Sequence, residues 1–576
     1  MFDAVLTFDY KPLGWHAIPI ANGYTFPEMG MIKESYSSTR HESLPDDRGR
    51  GSDSASAMRK YGAEWRVSDN MRLLRLWLAY LGLYLFMYGL LLGRFAPLWD
   101  EVYDSFGQGM YLYITVDRWG LAAYRSFFGE GFQPYVGGVA AGMWISVALV
   151  VQVTTCRLKG YFAPLVYGAA YLSSIAWAFQ VVYSHQSDAI ALGILCATLA
   201  ARDLFSRRRI HLILGAALLV FALATYQMLL LYYAAAVLTF FVFNSQAKEE
   251  GIVKIALKGC LTCAVAVVAM YGVSFGVHHI FAPPAEILDG FSHYHATLSC
   301  WPDIASAGGL VNCIKPFLYW ELVNLRPLLY NLTGSGYQGQ WAYPIALMLL
   351  ICILPFKARQ LGWQKLFALG VIALLPYSCY PLLLMYRCGP IGGLDARMGL
   401  AEPLFVATVW ACLIQQAQGV SGKIAGRMVM AALLAICILK GAYRIADMAR
   451  DEMKVQHAML AQYHEMGTRA RILAAQKGLE HPKFLVCQGE KSRRLVCPPR
   501  MLMYDRTPQS EDLSKLAVYP IGVFKAFADY CGETELGVAT EKDLALHEKA
   551  LSEMPNWPMP GSVREHQGDI IIKANW

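Results

Sequence analysis

The sequence predicts an α-helical polytopic membrane protein of about eleven spans, with a small α+β domain at its C-terminal end. Three observations carry this. Of 576 residues, 56% are apolar and only 16% charged, against about 25% charged in a typical soluble protein. The mean hydropathy is positive, +0.34. Apolar runs recur between residues 72 and 445, many near the roughly 20 residues that a bilayer crossing needs.

The elements follow in order. Residues 1–70 show no sustained periodicity and are expected to be a cytoplasmic segment, partly disordered. The tract Glu42–Ala57 (ESLPDDRGRGSDSASA) has the composition of a chain that buries too little to fold. No basic and then apolar stretch follows Met1, so no secretory signal is expected. The first span runs from about Arg72 to Gly93. Others lie near 134–155, 160–182 and 188–204. The run from Ile210 to Phe243 is too long for one ordinary span and is interrupted at Tyr226-Gln227, so it is read as two. Further spans are expected near 252–281, 341–356, 365–385, 398–417 and 427–445. A long loop, 282–340, separates two of them. A spanning domain over 71–445 is thus followed by a mixed-polarity domain over 446–576. That domain opens on a helix from about Arg444 to Gln476. Strand-like stretches follow at Phe484-Leu485-Val486 and Asp569-Ile570-Ile571-Ile572.

Lysine and arginine placement orients the spans. With the N-terminus in the cytoplasm, fourteen basic residues fall in inner loops, among them Arg157, Lys159, Arg202, Arg207, Arg208 and Arg209. Only six fall outside: Arg118, Arg125, Lys315, Arg326, Arg387 and Arg397. A single helix through Tyr226-Gln227 would invert every later loop, so the bias supports the split. Eleven spans put the C-terminal domain in the periplasm of a bacterial inner membrane. An oxidising compartment permits bridges. Cys487 and Cys497 are spaced for one, with Cys531 left over, and Cys300 and Cys313 share the long outer loop. No histidine cluster argues for zinc, and no glycine-rich phosphate loop follows a strand. The net charge of +7 sits mostly in short loops and implies no nucleic-acid partner.

Charges at span ends are costly and therefore informative. Past the first span come Asp100, Glu101 and, one turn later, Asp104, flanked by Pro97, Trp99, Tyr103 and Phe106. Asp188 opens the fourth span after the short link Ser184-His185-Gln186-Ser187; it is either a helix-capping acid or a site residue. Tyr226 and Gln227 either break a helix or touch a bound sugar. Arg387 and Arg397 flank a Gly/Pro-rich outer loop and suit phosphate, or serve as interfacial anchors, or Arg397 pairs with Asp395 or Glu402. Arg118 and Arg125, among Tyr111, Tyr113, Trp119 and Tyr124, read as an amphipathic helix lying on the membrane. An outward-facing acid beside a cation at the same depth suffices for sugar transfer from a polyprenyl phosphate. The cation stabilises the departing phosphate, and the carboxylate takes the acceptor's proton.

The order of these features resembles the GT-C class of membrane glycosyltransferases, which carries an acidic motif in the first outer loop, as at Asp100-Glu101. It is closer to the O-antigen glucosyltransferases of the Gtr type II group, through Asp117-Arg118-Trp119-Gly120, Gln186-Ser187-Asp188 and Tyr226-Gln227. The likeness covers roughly residues 72–445, and the Asp-Glu pair departs from the group's Asp-Asp. It implies Asp100, Glu101 and Asp188 as catalytic residues and Arg118, Gln186, Tyr226 and Gln227 as substrate contacts. The residue reading adds Asp104, Arg387 and Arg397 to those contacts. The resemblance implies a polyprenyl-phosphate hexose, with glucose on undecaprenyl phosphate the expected form, as donor and a lipid-linked O-antigen or similar surface glycan as acceptor. A separate flippase and a carrier-charging glycosyltransferase are the implied partners beside membrane lipids, with a divalent metal ion as an optional cofactor. The competing expectation is a transporter or flippase of lipid-linked sugars. Such proteins favour internal repeats and midplane acids, whereas this chain shows no convincing repeat and places its acids at span ends.

Overall fold

The protein is described from a computed structural model, which describes residues 53–92, 109–129, 134–174, 176–181, 184–206, 208–244, 251–281, 341–378, 399–417, 423–488, 532 and 535–575. The chain divides into two units, Met1–Arg66 and Val67–Trp576. In the first, the described residues are helical turns.

Fifteen α-helices and one 3-10 turn are found among the described residues, with one small sheet near the C-terminus. Helix α1 (Asp53–Leu92) starts well before the expected span. The end of the tract expected to be disordered, from Asp53 onward, is therefore helical. Its alanine, methionine, arginine, lysine and glutamate residues favour a helix, and no proline stops it. Then come α2 (Gly109–Thr115), α3 (Trp119–Phe128), α4 (Pro134–Thr155), α5 (Phe162–Leu172), α6 (Ala176–Val181) and α7 (Ser184–Asp203). They are followed by α8 (Arg209–Thr225), α9 (Leu229–Phe243), α10 (Ile252–Ile280), α11 (Ala342–Leu361), α12 (Trp363–Leu374), α13 (Glu402–Ala417) and α14 (Lys423–Gln476).

Among the described residues, four helical stretches are long and apolar enough to cross a membrane: residues 70–92, 135–155, 252–280 and 428–447. The other expected spans coincide with shorter apolar helices, such as 162–172, 209–225 and 229–243. The count of eleven is thus not reached by length and composition. Helix α7 is long enough, but Ser184-His185-Gln186-Ser187-Asp188 dilutes its apolar character. The helix break at Tyr226-Gln227 is present: α8 ends at Thr225 and α9 begins at Leu229. The long helices turn apolar side chains outward. On α10, Val253, Leu257, Leu261 and Val265 recur every four residues and are all more than half exposed. A soluble surface would not carry such a stripe, and it marks a helix face turned to lipid.

The interior is held by polar groups aimed at backbone carbonyls. Tyr80, Tyr84 and Tyr88 lie four residues apart on one face of α1. Their hydroxyls donate to the carbonyls of Pro164 (2.7 Å), Gly138 (3.1 Å) and Leu172 (2.9 Å). The expected third span is interrupted after Leu172, separating α5 from α6. Tyr88 also donates to Ser174 O at 3.0 Å, so one hydroxyl serves two carbonyls at this break. The Ser174 hydroxyl donates to Glu402 at 2.8 Å. Backbone freed inside a membrane needs such replacement partners. Helix α14 comes close at the same place: a Cβ on Gly441 would lie 2.9 Å from Ser173 O.

Helix α14 runs without a break from the last apolar stretch into the C-terminal domain, so the chain has no loop at residue 446. There β1 (Phe484–Gln488) pairs in parallel with β2 (Leu536–Val538) and β4 (Asp569–Asn575). Strand β3 (Val563–His566) pairs antiparallel with β4, giving the order β2-β1-β4-β3. Helix α15 (Glu541–Glu553) starts with a capping box between Thr540 and Asp543. Leu485, Cys487, Leu551, Met554 and Ile571 form the core here. The Cys487 thiol is free, whereas its spacing from Cys497 allows a bridge. On β1 it points into the apolar core, and burial pushes its pKa up to about 12. Cys300, Cys313, Cys497 and Cys531 lie outside the described residues.

Candidate functional site

One end of the helix bundle gathers buried polar side chains from four places in the sequence. The first is the link between α2 and α3. Arg118 N–H donates to Tyr113 O at 2.7 Å and Asp117 N–H to Ile114 O at 3.0 Å. This pair of bonds is the helix-ending pattern that normally places glycine at the left-handed position. Asp117 occupies that position, with φ of 59°. Three residues on, Gly120 allows α3 to press against the end of α8, because a Cβ there would lie 2.9 Å from the Ala224 carbonyl carbon.

The Asp117 side chain is fully buried. Its Oδ1 accepts from the Ser274 hydroxyl and lies 3.2 Å from His278 Nε2, both on α10. Its Oδ2 has no hydrogen-bond partner among the described residues. Trp119 Nε1 donates to Met270 O on the same helix at 3.4 Å.

Helix α3, expected to be an amphipathic helix lying on the membrane, packs one face into the protein. Tyr124 and Arg125 are buried there, while Phe127 and Phe128 are exposed at its end. Arg125 Nη2 meets Asp188 Oδ1 at 2.5 Å, with both side chains almost wholly buried. The Asp188 carboxylate also accepts from the Ala189 N–H at 2.9 Å and bonds the Tyr124 hydroxyl. Burial and the Asp188 charge push the Tyr124 phenol up to about 12. It therefore remains a donor to the carboxylate. Asp188 is thus ringed by a guanidinium, a phenol and a backbone amide.

Arg118 is also buried, with a different setting. Its Nη1 donates to Gln186 Oε1 at 3.4 Å, and its guanidinium lies over the Tyr226 ring at 4.9 Å, a favourable cation–π arrangement. Among the described residues it meets no carboxylate. Gln227, in the α8–α9 turn, donates from Nε2 to the carbonyls of Val116 (3.1 Å) and Asp117 (3.3 Å). Its Oε1 has no partner among the described residues.

Five of the expected site residues therefore come together: Arg118, Gln186, Asp188, Tyr226 and Gln227. Asp100, Glu101, Asp104, Arg387 and Arg397 lie outside the described residues. Sequence reasoning treated Asp117 only as part of a motif and missed Ser274 and His278. Their signal is the four-residue spacing, which puts both on one face at the end of an apolar helix. Among the described residues, no group of three or more His, Cys, Asp or Glu side chains is arranged to hold a metal ion.

The model of the family described as glucosyl transferase GtrII matches residues 100–391. That segment includes every residue of the cluster, from Asp117 to His278. No curated protein and no solved structure matches the chain.

Proposed function

Because the chain belongs to the glucosyl transferase GtrII family, we propose that it is an inverting glycosyltransferase that moves a hexose, glucose by the family's description, from polyprenyl phosphate to a surface glycan. The observation that carries this reading is Arg118. Its buried positive charge meets no carboxylate among the described residues, and a buried charge without a counter-charge is costly. A phosphate supplies that counter-charge, and an Arg fork matches it bidentately.

In the proposed reaction, the acceptor hydroxyl attacks the anomeric carbon from the face opposite the phosphate. The carbon–oxygen bond to phosphate breaks, and polyprenyl phosphate leaves with its charge facing Arg118. The acceptor's proton passes to a carboxylate of the Asp100-Glu101 pair. Asp104, Arg387 and Arg397 complete the donor site in this reading. Asp188, already engaged by Arg125, Tyr124 and a backbone amide, holds Arg125 and the start of α7 in place. It is assigned a positioning role rather than the proton transfer that the sequence pattern suggested. The proposed setting is the periplasmic face of a bacterial inner membrane, with eleven spans and a cytoplasmic N-terminus. The acceptor is a lipid-linked O-antigen or similar glycan, selected with help from the C-terminal domain. A flippase and a carrier-charging transferase supply the donor.

The test is labelled hexose transfer in membranes by Asp100→Asn, Glu101→Gln and Asp188→Asn at matched expression. One of the first two should abolish transfer, and Asp188→Asn should slow it without abolishing it. Full transfer by both Asp100→Asn and Glu101→Gln would remove the assignment.

A further inference from the structure

We infer that Asp117 is a carbohydrate-binding residue, its Oδ2 accepting a hydrogen bond from a non-reacting hydroxyl of the donor or acceptor sugar; this rests on the transferase reading above. The first support is the backbone. Asp117 stands at a helix-ending position with φ of 59°, a left-handed conformation that glycine adopts without strain and aspartate adopts where its side chain is hydrogen-bonded.

The second support is the lopsided bonding of that carboxylate. A carboxylate has about four acceptor sites. Oδ1 faces Ser274 and His278, brought from 157 and 161 residues away in sequence. Oδ2 is buried and meets no donor among the described residues. A side chain serving only to tie α10 to the α2–α3 turn would not leave one oxygen buried without a donor.

The third support is a second acceptor in the same state. Gln227 is anchored to Asp117 through the backbone carbonyl, 3.3 Å from its Nε2, and its buried Oε1 also meets no donor among the described residues. Two acceptors without donors select a ligand that brings O–H groups. A phosphate oxygen would be repelled by them, and the neighbouring Arg118 charge disfavours a metal cation. A pyranose presents hydroxyls on adjacent carbons, and its phosphate can meet Arg118 while its hydroxyls meet Asp117 and Gln227. The division of labour is thus anion at the arginine and sugar ring at the carboxylate.

The experiment compares the full-length native protein with Asp117→Gly in reconstituted vesicles. Glycine suits the left-handed backbone and deletes only the side chain. Both proteins are given polyprenyl-phosphate glucose, then its 2-, 3-, 4- and 6-deoxy forms, then acceptor glycans lacking single non-reacting hydroxyls. The expected result is a fall in kcat/KM of about 10- to 100-fold for Asp117→Gly, the range of one charge-assisted hydrogen bond. One deoxy compound should slow the native protein by a similar factor and the variant no further. A donor at that position assigns the contact to the donor sugar; an acceptor assigns it to the acceptor.

Equal slowing of both proteins by every deoxy compound would overturn the inference while leaving the transferase reading intact. No transfer by the native protein from any hexosyl donor would remove both. Should Asp117→Gly not accumulate, Ser274→Ala keeps the carboxylate but loosens it. It should weaken discrimination against the same deoxy compound, and unchanged discrimination counts against the inference.

Discussion

At the scale of single residues, the Arg125–Asp188 pair is the contact whose loss has the most predictable cost. Both charges are buried, so removing one strands the other, at about 3–5 kcal/mol. Arg125→Met should lower the melting temperature in detergent sharply. Arg125→Met combined with Asp188→Asn should recover part of that loss, because no charge is left uncompensated. Additive losses would show that the two side chains are not coupled. Gly120→Ala is a second residue-scale case: its methyl would meet Ala224 backbone at 2.9 Å, and overpacking costs about 1–3 kcal/mol.

Much of the buried polar cluster was legible at this scale. Arg118, Gln186, Asp188, Tyr226 and Gln227 are polar groups set against apolar runs, and the expense of placing them there announces them. The pairing of Asp188 with Arg125 was not legible, since the two are 63 residues apart and Asp188 alone looks like an ordinary helix-start acid. Ser274 and His278 escaped notice for the same reason. A serine and a histidine near a helix end carry no meaning until the chain brings Asp117 to them.

At the scale of elements, helix breaks were the decisive features. The break at Tyr226-Gln227 was legible because an apolar run from Ile210 to Phe243 exceeds one span. The break after Leu172 was not, because Ser173-Ser174 is a mild signal inside a continuous apolar stretch. It depends on tertiary partners: the Tyr88 hydroxyl and Glu402. Tyr88→Phe should therefore destabilise the fold by about 1–3 kcal/mol, the cost of stranded buried polar groups, seen as a lower melting temperature. An unchanged melting temperature would mean the break holds itself.

In the C-terminal domain, Thr540→Ala removes the cap of α15 and should cost about 1 kcal/mol, read by faster amide exchange in the first turn. Hydrogen bonds from the Thr540 hydroxyl and N–H hold the Asp543 carboxyl below the ordinary carboxylate range. Its contribution is therefore present above the unfolded-state value and is lost as pH falls through the depressed one. The difference between native and Thr540→Ala should shrink in that acid range.

At the scale of the whole molecule, composition and periodicity announced a helical membrane protein, and the outward apolar stripe of α10 agrees. Spin labels at Leu257 and Leu261 should be accessible to oxygen and shielded from water-soluble relaxation agents; the opposite pattern would take α10 out of the lipid. The eleven-span count did not follow from the fold in the same way. Several helices among the described residues are too short to cross by length and composition. Helix α14 is continuous over 54 residues, where the sequence predicts a span and a separate helix, because its polarity changes near residue 446 although its helical pattern does not.

In the proposed function, the buried cluster around Arg118 is the transfer site for glucose carried on polyprenyl phosphate. The most direct measurement is the rate of labelled glucose transfer from polyprenyl phosphate to glycan by the purified protein in vesicles, native beside Arg118→Ala. Transfer by the native protein is expected, with a fall of about 100- to 1,000-fold in the variant, the usual cost of losing a group that stabilises developing charge. Transfer by Arg118→Ala at the native rate would contradict it.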